Sequence, residues 1–209
     1  MPSESKLSGL YVITDANLMP RDRFVNMVEA AVQSGATMVQ LREKNTPRDA
    51  VVSLGREVLA VTRRYNALLI VNDDPTVARD IGADGVHVGW QDPAVAETRA
   101  IVGDDVISGV SCYGELSKAV AAEQAGADYV AFGSPFPSPT KSSKGRTPIG
   151  IFQQAKQCVT LPIFAIGGIN IGNAQQLIDA GADGVAVVSG VFGAPDVATA
   201  ARDLVQLFQ

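Results

Sequence analysis

Eight short apolar runs, separated by stretches with helical spacing, constrain the fold of this 209-residue chain more than any other feature. Between the runs, apolar residues recur every three or four positions, as at Phe24, Val28 and Ala31. A strand followed by a helix, repeated eight times, predicts an α/β protein: a single (β/α)8 TIM barrel over residues 1–209. The predicted strands are Leu10–Thr14, Met38–Leu41, Leu68–Val71, Gly85–Val88, Val106–Val110, Tyr129–Phe132, Pro162–Ile166 and Gly184–Val188.

A turn motif built around glycine recurs four times, each time between a helical stretch and a strand. A glycine just past a helix adopts the left-handed conformation that caps the last carbonyls. In a barrel these turns lie on the N-terminal face, away from the chemistry. The four copies are Ser34–Ala36, Ile81–Asp84, Ala125–Asp128 and Ala180–Asp183.

Composition excludes several classes of function. The formal net charge of −5 argues against a nucleic-acid partner, which requires a basic face. No run approaches the roughly 18 apolar residues of a membrane helix, and residues 1–8 are polar, so we expect no membrane contact, a flexible N-terminal tail and a cytoplasmic protein. Cys112 and Cys158 are far apart and predict reduced thiols. The sequence leaves open whether the chain forms a homo-oligomer.

Polar residues concentrate just after the predicted strands, where TIM barrels build their active sites. After the second strand, alternation places Gln40, Arg42 and Lys44 on one side, toward the barrel mouth. Two cations and an amide there predict a phosphorylated substrate; a solvated strand end with surface salt bridges is the alternative. Glu43 faces the other way and is expected to be a structural partner.

Two aspartates follow neighbouring strands and form a candidate magnesium site. Asp73 comes after the third strand and Asp92 after the fourth. Mg²⁺ takes one or two carboxylates together with substrate phosphates, and the nearby cations favour a diphosphate. The alternative is that the carboxylates cap helices, since Asp73, Asp74 and Pro75 also resemble a helix start.

Glycines follow the seventh strand at 167–168, and Ser189 follows the eighth. Barrels often bind phosphate at these two strand ends through backbone N–H groups and a short extra helix; tight turns are the alternative reading of the glycines. The long segment from Gly133 to Arg146 carries hydroxyls and cations, and is expected to be a mobile lid.

His87, the sole histidine, lies within the fourth strand, so we expect it to be packed or to lie behind the site. Ser111 ends the fifth strand and has no nearby base in the sequence. We therefore expect a ligand-binding hydroxyl and not a Ser-His-Asp triad.

In this order of motifs, the chain resembles the thiamine-phosphate synthase family along nearly its whole length. The motifs that carry the resemblance are Tyr11–Asp15, Gln40–Lys44, Asn72–Asp73, Gly85–His87, Gly109–Ser111, Pro139–Lys141, Ile166–Ile169 and Val188–Ser189. The resemblance implies a transferase that joins a pyrimidine methyl diphosphate to a thiazole phosphate and releases pyrophosphate. Its partners would be these small molecules, and Mg²⁺ would be the cofactor.

The resemblance also implies roles for individual residues. Arg42, Lys44, Ser111 and Lys141 would be catalytic, and Asp73 and Asp92 would bind the metal. The residues implied to hold the pyrimidine diphosphate are Gln40, Arg42, Lys44, Asn72, Ser111 and Lys141; those for the thiazole phosphate are Ser138, Thr140, Gly168, Val188 and Ser189; and Leu41, Glu43 and Pro139, within the same motifs, complete the expected substrate site.

Four positions depart from the family pattern: Trp90, Asp74, Tyr113 and Ser138. Tyr113 stands where a related thiazole tautomerase relies on histidine, which favours the synthase over that rival. A non-catalytic thiazole-phosphate binder would need no magnesium. A phosphosugar isomerase on the same barrel would need a base, for which Asp15 is the candidate.

Overall fold

A computed structural model describes residues 7–89, 94–137 and 147–209, which form a closed barrel of eight parallel strands. Strands pair in sequence order, and β1 pairs with β8 to close the barrel. The predicted (β/α)8 barrel is confirmed, and most of the predicted tail lies outside the described residues. The strands are β1 (Gly9–Ile13), β2 (Met38–Leu41), β3 (Leu68–Asn72), β4 (Gly85–Val88), β5 (Ile107–Tyr113), β6 (Tyr129–Gly133), β7 (Ile163–Ile166) and β8 (Gly184–Val187).

Helices follow the strands and surround the barrel, and β8 is followed by a short extra helix before the last long one. No helix within the described ranges combines the length and apolar character needed to cross a membrane. The helices are α1 (Phe24–Gln33), α2 (Arg48–Arg64), α3 (Pro75–Ile81), α4 (Val95–Val102), α5 (Leu116–Gln124), α6 (Ile151–Cys158), α7 (Ala174–Asp179), α8 (Ser189–Phe192) and α9 (Val197–Gln206).

Alternation along the strands divides the core into two layers. Outward-facing residues such as Val39 and Leu69 pack against the helices, whereas Tyr11, Tyr129 and Phe164 fill the barrel interior. The Phe164 ring lies 5.5 Å from the Tyr11 ring and 5.2 Å from the Tyr129 ring, in edge-on contacts. The interior is therefore packed with aromatic side chains and does not form a pore.

The repeated turn motif closes the N-terminal face in a regular way. As predicted, its glycines have positive φ, from 76° at Gly82 to 106° at Gly35. The aspartate that ends three of the copies accepts a hydrogen bond from a backbone N–H of the preceding strand. Each of these carboxylates also pairs with a cation at the end of the helix that leads into that preceding strand. We call Asp84, Asp128 and Asp183 the carboxylate clamps.

The first copy of the motif achieves the same closure without a carboxylate. Thr37 stands where the others have aspartate, and its hydroxyl donates to the carbonyls of Ser8 and Leu10. The backbone N–H before each even-numbered strand donates to the strand that precedes it, as Thr37 donates to Leu10. At Thr37, Asp84 and Asp183 the carbonyl of the same residue also accepts from the next strand in the barrel. At Asp128 the corresponding residue of that next strand is Pro162, which has no N–H to donate. The barrel thus consists of four similar two-strand units.

Candidate active site

The C-terminal end of β2 places Gln40 inside the barrel and Leu41 outside it. Gln40 is 3% exposed and donates from Nε2 to the Tyr11 hydroxyl at 2.7 Å. Leu41 packs in the outer layer, where its side chain faces Gly55 of α2. Of the predicted substrate contacts here, Leu41 can therefore offer only its backbone. Arg42 follows, and its N–H donates to the buried Thr14 hydroxyl at 2.9 Å, which ties β2 to the end of β1.

Glu43 lies partly buried beside the mouth, in a structural setting. Its Oε2 accepts from the Thr46 hydroxyl at 3.1 Å. Its Oε1 is buried and has no hydrogen-bond partner among the residues that the structure describes. Burial raises the pKa of the Glu43 carboxyl, against the lowering effect of the Thr46 hydrogen bond. This setting matches the expected structural role.

Lys44 and Asp73 meet at the mouth between β2 and β3. Lys44 Nζ lies 3.7 Å from Asp73 Oδ2, and both side chains are partly open to solvent. Asp73 has φ of 65°, and its N–H donates to the His87 carbonyl at 2.8 Å, which joins the ends of β3 and β4. The non-glycine left-handed backbone marks a locally constrained position, as is common at functional sites. Asn72, the last residue of β3, follows the interior-facing parity of Ile70.

The helix-start interpretation of this segment holds for Asp74, not for Asp73. Asp74 accepts hydrogen bonds from the N–H groups of Thr76 and Val77 and begins α3, with Pro75 as the first helical residue. Desolvation raises the pKa of the Asp74 carboxyl, but hydrogen bonds from the Thr76 hydroxyl and from these two N–H groups outweigh it, and the net shift is downward. The cap role is therefore filled, and the Asp73 carboxylate is left at the barrel mouth beside Lys44.

Ser111 does have a base within hydrogen-bond distance, so that expectation was wrong. Nε2 of His87 lies 2.9 Å from Ser111 Oγ. Register explains the contact: His87 pairs with Gly109 across β4 and β5, and Ser111 is the next interior-facing residue on β5. The expectation that His87 is packed is confirmed, since the side chain is 6% exposed. On the other side of the ring, Nδ1 of His87 contacts the Tyr129 hydroxyl at 2.9 Å, at the place where a Ser-His-Asp triad would have a carboxylate.

The ends of β7 and β8 come together around glycine. Gly167 and Gly168 have φ of 111° and 60°, and a side chain at Gly168 would collide with the carbonyl of Pro137. The Ser134 hydroxyl donates to the Gly167 carbonyl. A Cβ on Gly190 would lie 2.5 Å from the carbonyl of Ile169, so the β7 loop rests directly on the start of α8.

The predicted short extra helix after β8 is confirmed as α8, which begins at Ser189 and is preceded by Val188. The first N–H groups of a helix lack partners within it, and they attract anions. Here they lie beside the close backbone turn at Gly168. The arrangement suits a phosphate group, whose oxygens accept hydrogen bonds from backbone N–H groups.

The structure also shows the surroundings of Tyr113, Asp15 and the two cysteines. Tyr113 follows a β-bulge in β5, has φ of 56°, is 48% exposed and lies under the Lys118 ammonium group. Asp15, the candidate base for an isomerase, is 8% exposed and accepts at Oδ1 from the Asn17 N–H at 2.9 Å, so its carboxylate stabilises the turn after β1. The cysteines are free: Cys112 is buried and Cys158 is exposed.

Part of the predicted site lies outside the described residues: Trp90, Asp92, Ser138, Pro139, Thr140 and Lys141, together with most of the expected lid. Within the described ranges, no three His, Cys, Asp or Glu side chains cluster in a way that could enclose a metal. Asp73 nevertheless offers a partly exposed hard oxygen donor at the mouth. That donor set is compatible with Mg²⁺, which keeps several waters and takes few protein ligands.

Comparison with known proteins agrees with this geometry. The sequence profile of the family described as "Thiamine monophosphate synthase" matches residues 10–191. The chain belongs to that family. It is 47% identical over 208 residues to a thiamine-phosphate synthase of Methylococcus capsulatus, covering 100% of this chain and 92% of the relative. It is 43% identical over 204 residues to that of Nitrosococcus oceani, covering 98% and 94%.

Solved structures of this family and of others share the architecture. Thiamine phosphate pyrophosphorylase from Pyrococcus furiosus superposes with a TM-score of 0.89 at 38% identity, covering 98% of this chain and 96% of that one. A 3-hexulose-6-phosphate synthase gives 0.72 at 17% identity, covering 96% and 100%. The second likeness shows the barrel fold alone, whereas the family membership rests on the first and on the sequence matches.

Proposed function

We propose that this family member is a magnesium-dependent thiamine-phosphate synthase acting in the cytoplasm. It would join 4-amino-2-methyl-5-(diphosphooxymethyl)pyrimidine to 4-methyl-5-(2-phosphooxyethyl)thiazole and release pyrophosphate, a step of thiamine biosynthesis. The observation that carries the proposal is the ion pair of Lys44 with Asp73 at the barrel mouth, 3.7 Å apart, next to Arg42. A diphosphate needs both protein cations and a carboxylate-held metal ion, and this mouth offers both kinds of group.

The charges at the mouth support the reaction that the family resemblance implies. The bond between the pyrimidine methylene carbon and the diphosphate oxygen breaks, and its electron pair leaves with the diphosphate. Arg42 and Lys44 stabilise the negative charge that develops on the leaving group. The thiazole nitrogen then donates its lone pair to the methylene cation, which the pyrimidine ring stabilises. No proton has to be removed from the attacking nitrogen, so the reaction requires no general base.

Asp73 and Asp92 would hold the magnesium ion. When bound, Mg²⁺ would neutralise charge on the diphosphate and make it a better leaving group. The Lys44 ammonium beside Asp73 keeps a positive charge at the same position, so the carboxylate has a partner before substrate arrives. Binding of the diphosphate would then shift Lys44 from the carboxylate toward the phosphate oxygens.

The thiazole phosphate would bind at the other side of the mouth, at Gly168, Val188 and Ser189. Backbone N–H groups there can approach phosphate oxygens because Gly168 has no side chain. Placing the two substrates in one barrel mouth converts their encounter into an intramolecular step. Such positioning contributes on the order of 7–11 kcal/mol to lowering a barrier.

The test is pyrophosphate release from the purified protein with both substrates and magnesium, with thiamine phosphate identified by mass. We expect release that requires both substrates and that stops when a chelator removes the metal. Arg42→Met should remove the activity, whereas Arg202→Met, the same charge change on an exposed face of α9, should keep it. No release while the thiazole phosphate still binds would reject the proposal in favour of the tautomerase or the non-catalytic binder.

A further inference from the structure

A continuous series of hydrogen bonds crosses the barrel interior from β2 to β5. Gln40 Nε2 lies 2.7 Å from the Tyr11 hydroxyl, and that hydroxyl lies 3.1 Å from the hydroxyl of Tyr129. The Tyr129 hydroxyl lies 2.9 Å from Nδ1 of His87, and Nε2 of His87 lies 2.9 Å from Ser111 Oγ. We call these five side chains the interior chain. Its two ends, Gln40 and Ser111, are both expected substrate contacts, whereas the three central residues are not.

The proton positions along the interior chain follow from its first member. Burial raises the pKa of both tyrosines, so each phenol keeps its one proton. Gln40 donates from Nε2, so Tyr11 accepts there. Among the described residues, the Tyr11 hydroxyl contacts Gln40 and Tyr129, so its proton goes to Tyr129. By the same reasoning the Tyr129 proton goes to Nδ1 of His87.

The tautomer of His87 is then determined. A neutral imidazole carries one proton, and Nδ1 is already an acceptor, so the proton is on Nε2. Nε2–H donates to Ser111 Oγ, which leaves the serine hydroxyl proton for a group outside the interior chain. An anionic ligand can only accept hydrogen bonds, and the cations Arg42 and Lys44 at the mouth select an anion. The direction set from Gln40 is thus the one that suits the expected ligand.

We propose that the interior chain fixes Ser111 as a hydrogen-bond donor toward an anionic substrate oxygen, with Tyr11, Tyr129 and His87 as positioning residues. The direction of the hydrogen bonds depends only on the geometry; that the acceptor is the diphosphate rests on the proposed function. Because each member has one proton to give, reversal at one end requires reversal at every step. The amide orientation of Gln40 and the donor role of Ser111 are therefore coupled across the barrel.

The single histidine makes this proposal directly measurable. In protein labelled with ¹⁵N-histidine, two-bond ¹⁵N–¹H correlations report which ring nitrogen carries the proton. Measured at about pH 9, well above the ordinary histidine pKa of about 6.5, the ring is neutral. We expect the proton on Nε2. A proton on Nδ1 in the unmodified protein would overturn the proposal.

A substitution at the far end tests the coupling. In Gln40→Glu the carboxylate can only accept, so Tyr11 must donate to it and every later hydrogen bond must reverse. The two proteins are compared at about pH 10, above the values of about 8–9 documented for buried glutamates, so that the carboxylate is ionised. We expect the His87 proton to move from Nε2 to Nδ1. A folded Gln40→Glu protein, judged by circular dichroism, that keeps the proton on Nε2 would refute the coupling.

Two controls separate the interior chain from a general charge effect. Gln154→Glu makes the same change on the exposed face of α6 and should leave the tautomer as it is. Tyr129→Phe removes the hydroxyl that joins Tyr11 to His87. In that background, Gln40→Glu should no longer move the His87 proton. Equal shifts with Gln154→Glu, or a persisting shift in the cut background, would show that transmission does not use these hydrogen bonds.

Measuring thiamine phosphate formation beside the His87 tautomer distinguishes a failure of this inference from a failure of the proposed function. If the tautomer switches as described but the purified protein makes no thiamine phosphate, the proposed function fails and the interior chain stands. If the protein makes thiamine phosphate but the tautomer does not respond to residue 40, the interior chain fails and the function stands.

Discussion

Gly109 leaves the space that the Tyr129 ring occupies inside the barrel. A Cβ built on Gly109 would come within 3.0 Å of three Tyr129 atoms, including the hydroxyl oxygen, which is closer than real Cβ contacts. The ring cannot move away easily, because Phe164 lies 5.2 Å and Tyr11 lies 6.1 Å from it, centre to centre. Gly109→Ala should therefore displace the ring or the strand.

The cost can be set from two contributions. Overpacking a filled core costs about 1–3 kcal/mol. Displacing the Tyr129 hydroxyl also weakens its hydrogen bonds to Tyr11 and His87, each of which contributes about 1 kcal/mol. We expect the free energy of unfolding to fall by about 3 kcal/mol or more. For a chain of this length that corresponds to a decrease in Tm of about 6–12 °C.

Thermal and urea unfolding measure this loss, and two variants test its cause. Gly150→Ala, where nothing lies within 4 Å of the added Cβ, should change stability by less than about 1 kcal/mol. In the double variant with Gly109→Ala and Tyr129→Leu, the loss in free energy of unfolding should be smaller than the sum of the losses in the two single variants, because leucine is too small to collide with the added Cβ. Strict additivity, or a harmless Gly109→Ala, would refute the packing argument.

Three further predictions follow from other parts of the molecule. Asp73→Ala should reduce magnesium-dependent pyrophosphate release by on the order of 100-fold or more, while calorimetry should show thiazole-phosphate binding largely unchanged; equal loss of both would contradict the division of the site. Asp183→Ala should lower the free energy of unfolding by about 1.5–3 kcal/mol, since its carboxylate bonds Lys156 and the Ile163 N–H, yet leave turnover of the folded protein intact; loss of kcat at a temperature where the variant is folded would count against it. Burial raises the pKa of the Cys112 thiol to about 12, so at pH 8 a thiol reagent should modify Cys158 alone in the native protein and both cysteines after denaturation. An unfolded thiol titrates near pH 8.5. The contribution of Cys112 to the free energy of unfolding is therefore complete below pH 8.5 and decreases as the pH rises toward 12.

The fold was predictable because its signal repeats. Eight apolar runs and four glycine turns all agree with one architecture, and the structure moves strand ends by at most three residues, at the end of β5. That shift comes from the β-bulge between Ser111 and Tyr113, which adds residues to β5 that the apolar pattern does not include. The carboxylates at the ends of three of the turns carried no separate signal, because their partners lie about 15–20 residues away in sequence.

The site was predictable in outline, and less so in its contacts. Alternation placed Gln40, and the resemblance pointed to Ser111, but the contact of Ser111 with His87 was missed because it depends on strand register. Combining parity with register would have found it: both residues face inward on adjacent strands. Leu41 shows the opposite error, since a motif marks its position while alternation turns its side chain toward α2. The interior role of Tyr129 has no local signal apart from the paired Gly109.

The carboxylate clamps have a consequence for how this protein can evolve. They hold the strands together at the face opposite the mouth, through contacts that involve none of the proposed substrate-binding residues. A departure from the family pattern such as Tyr113 can therefore arise at the C-terminal end of a strand while the barrel keeps its closure at the other end. Because the barrel has four similar two-strand units, the contacts that hold its N-terminal face together are divided among four turns. A lineage with this scaffold can explore new substrate preferences at its loops while the barrel remains folded.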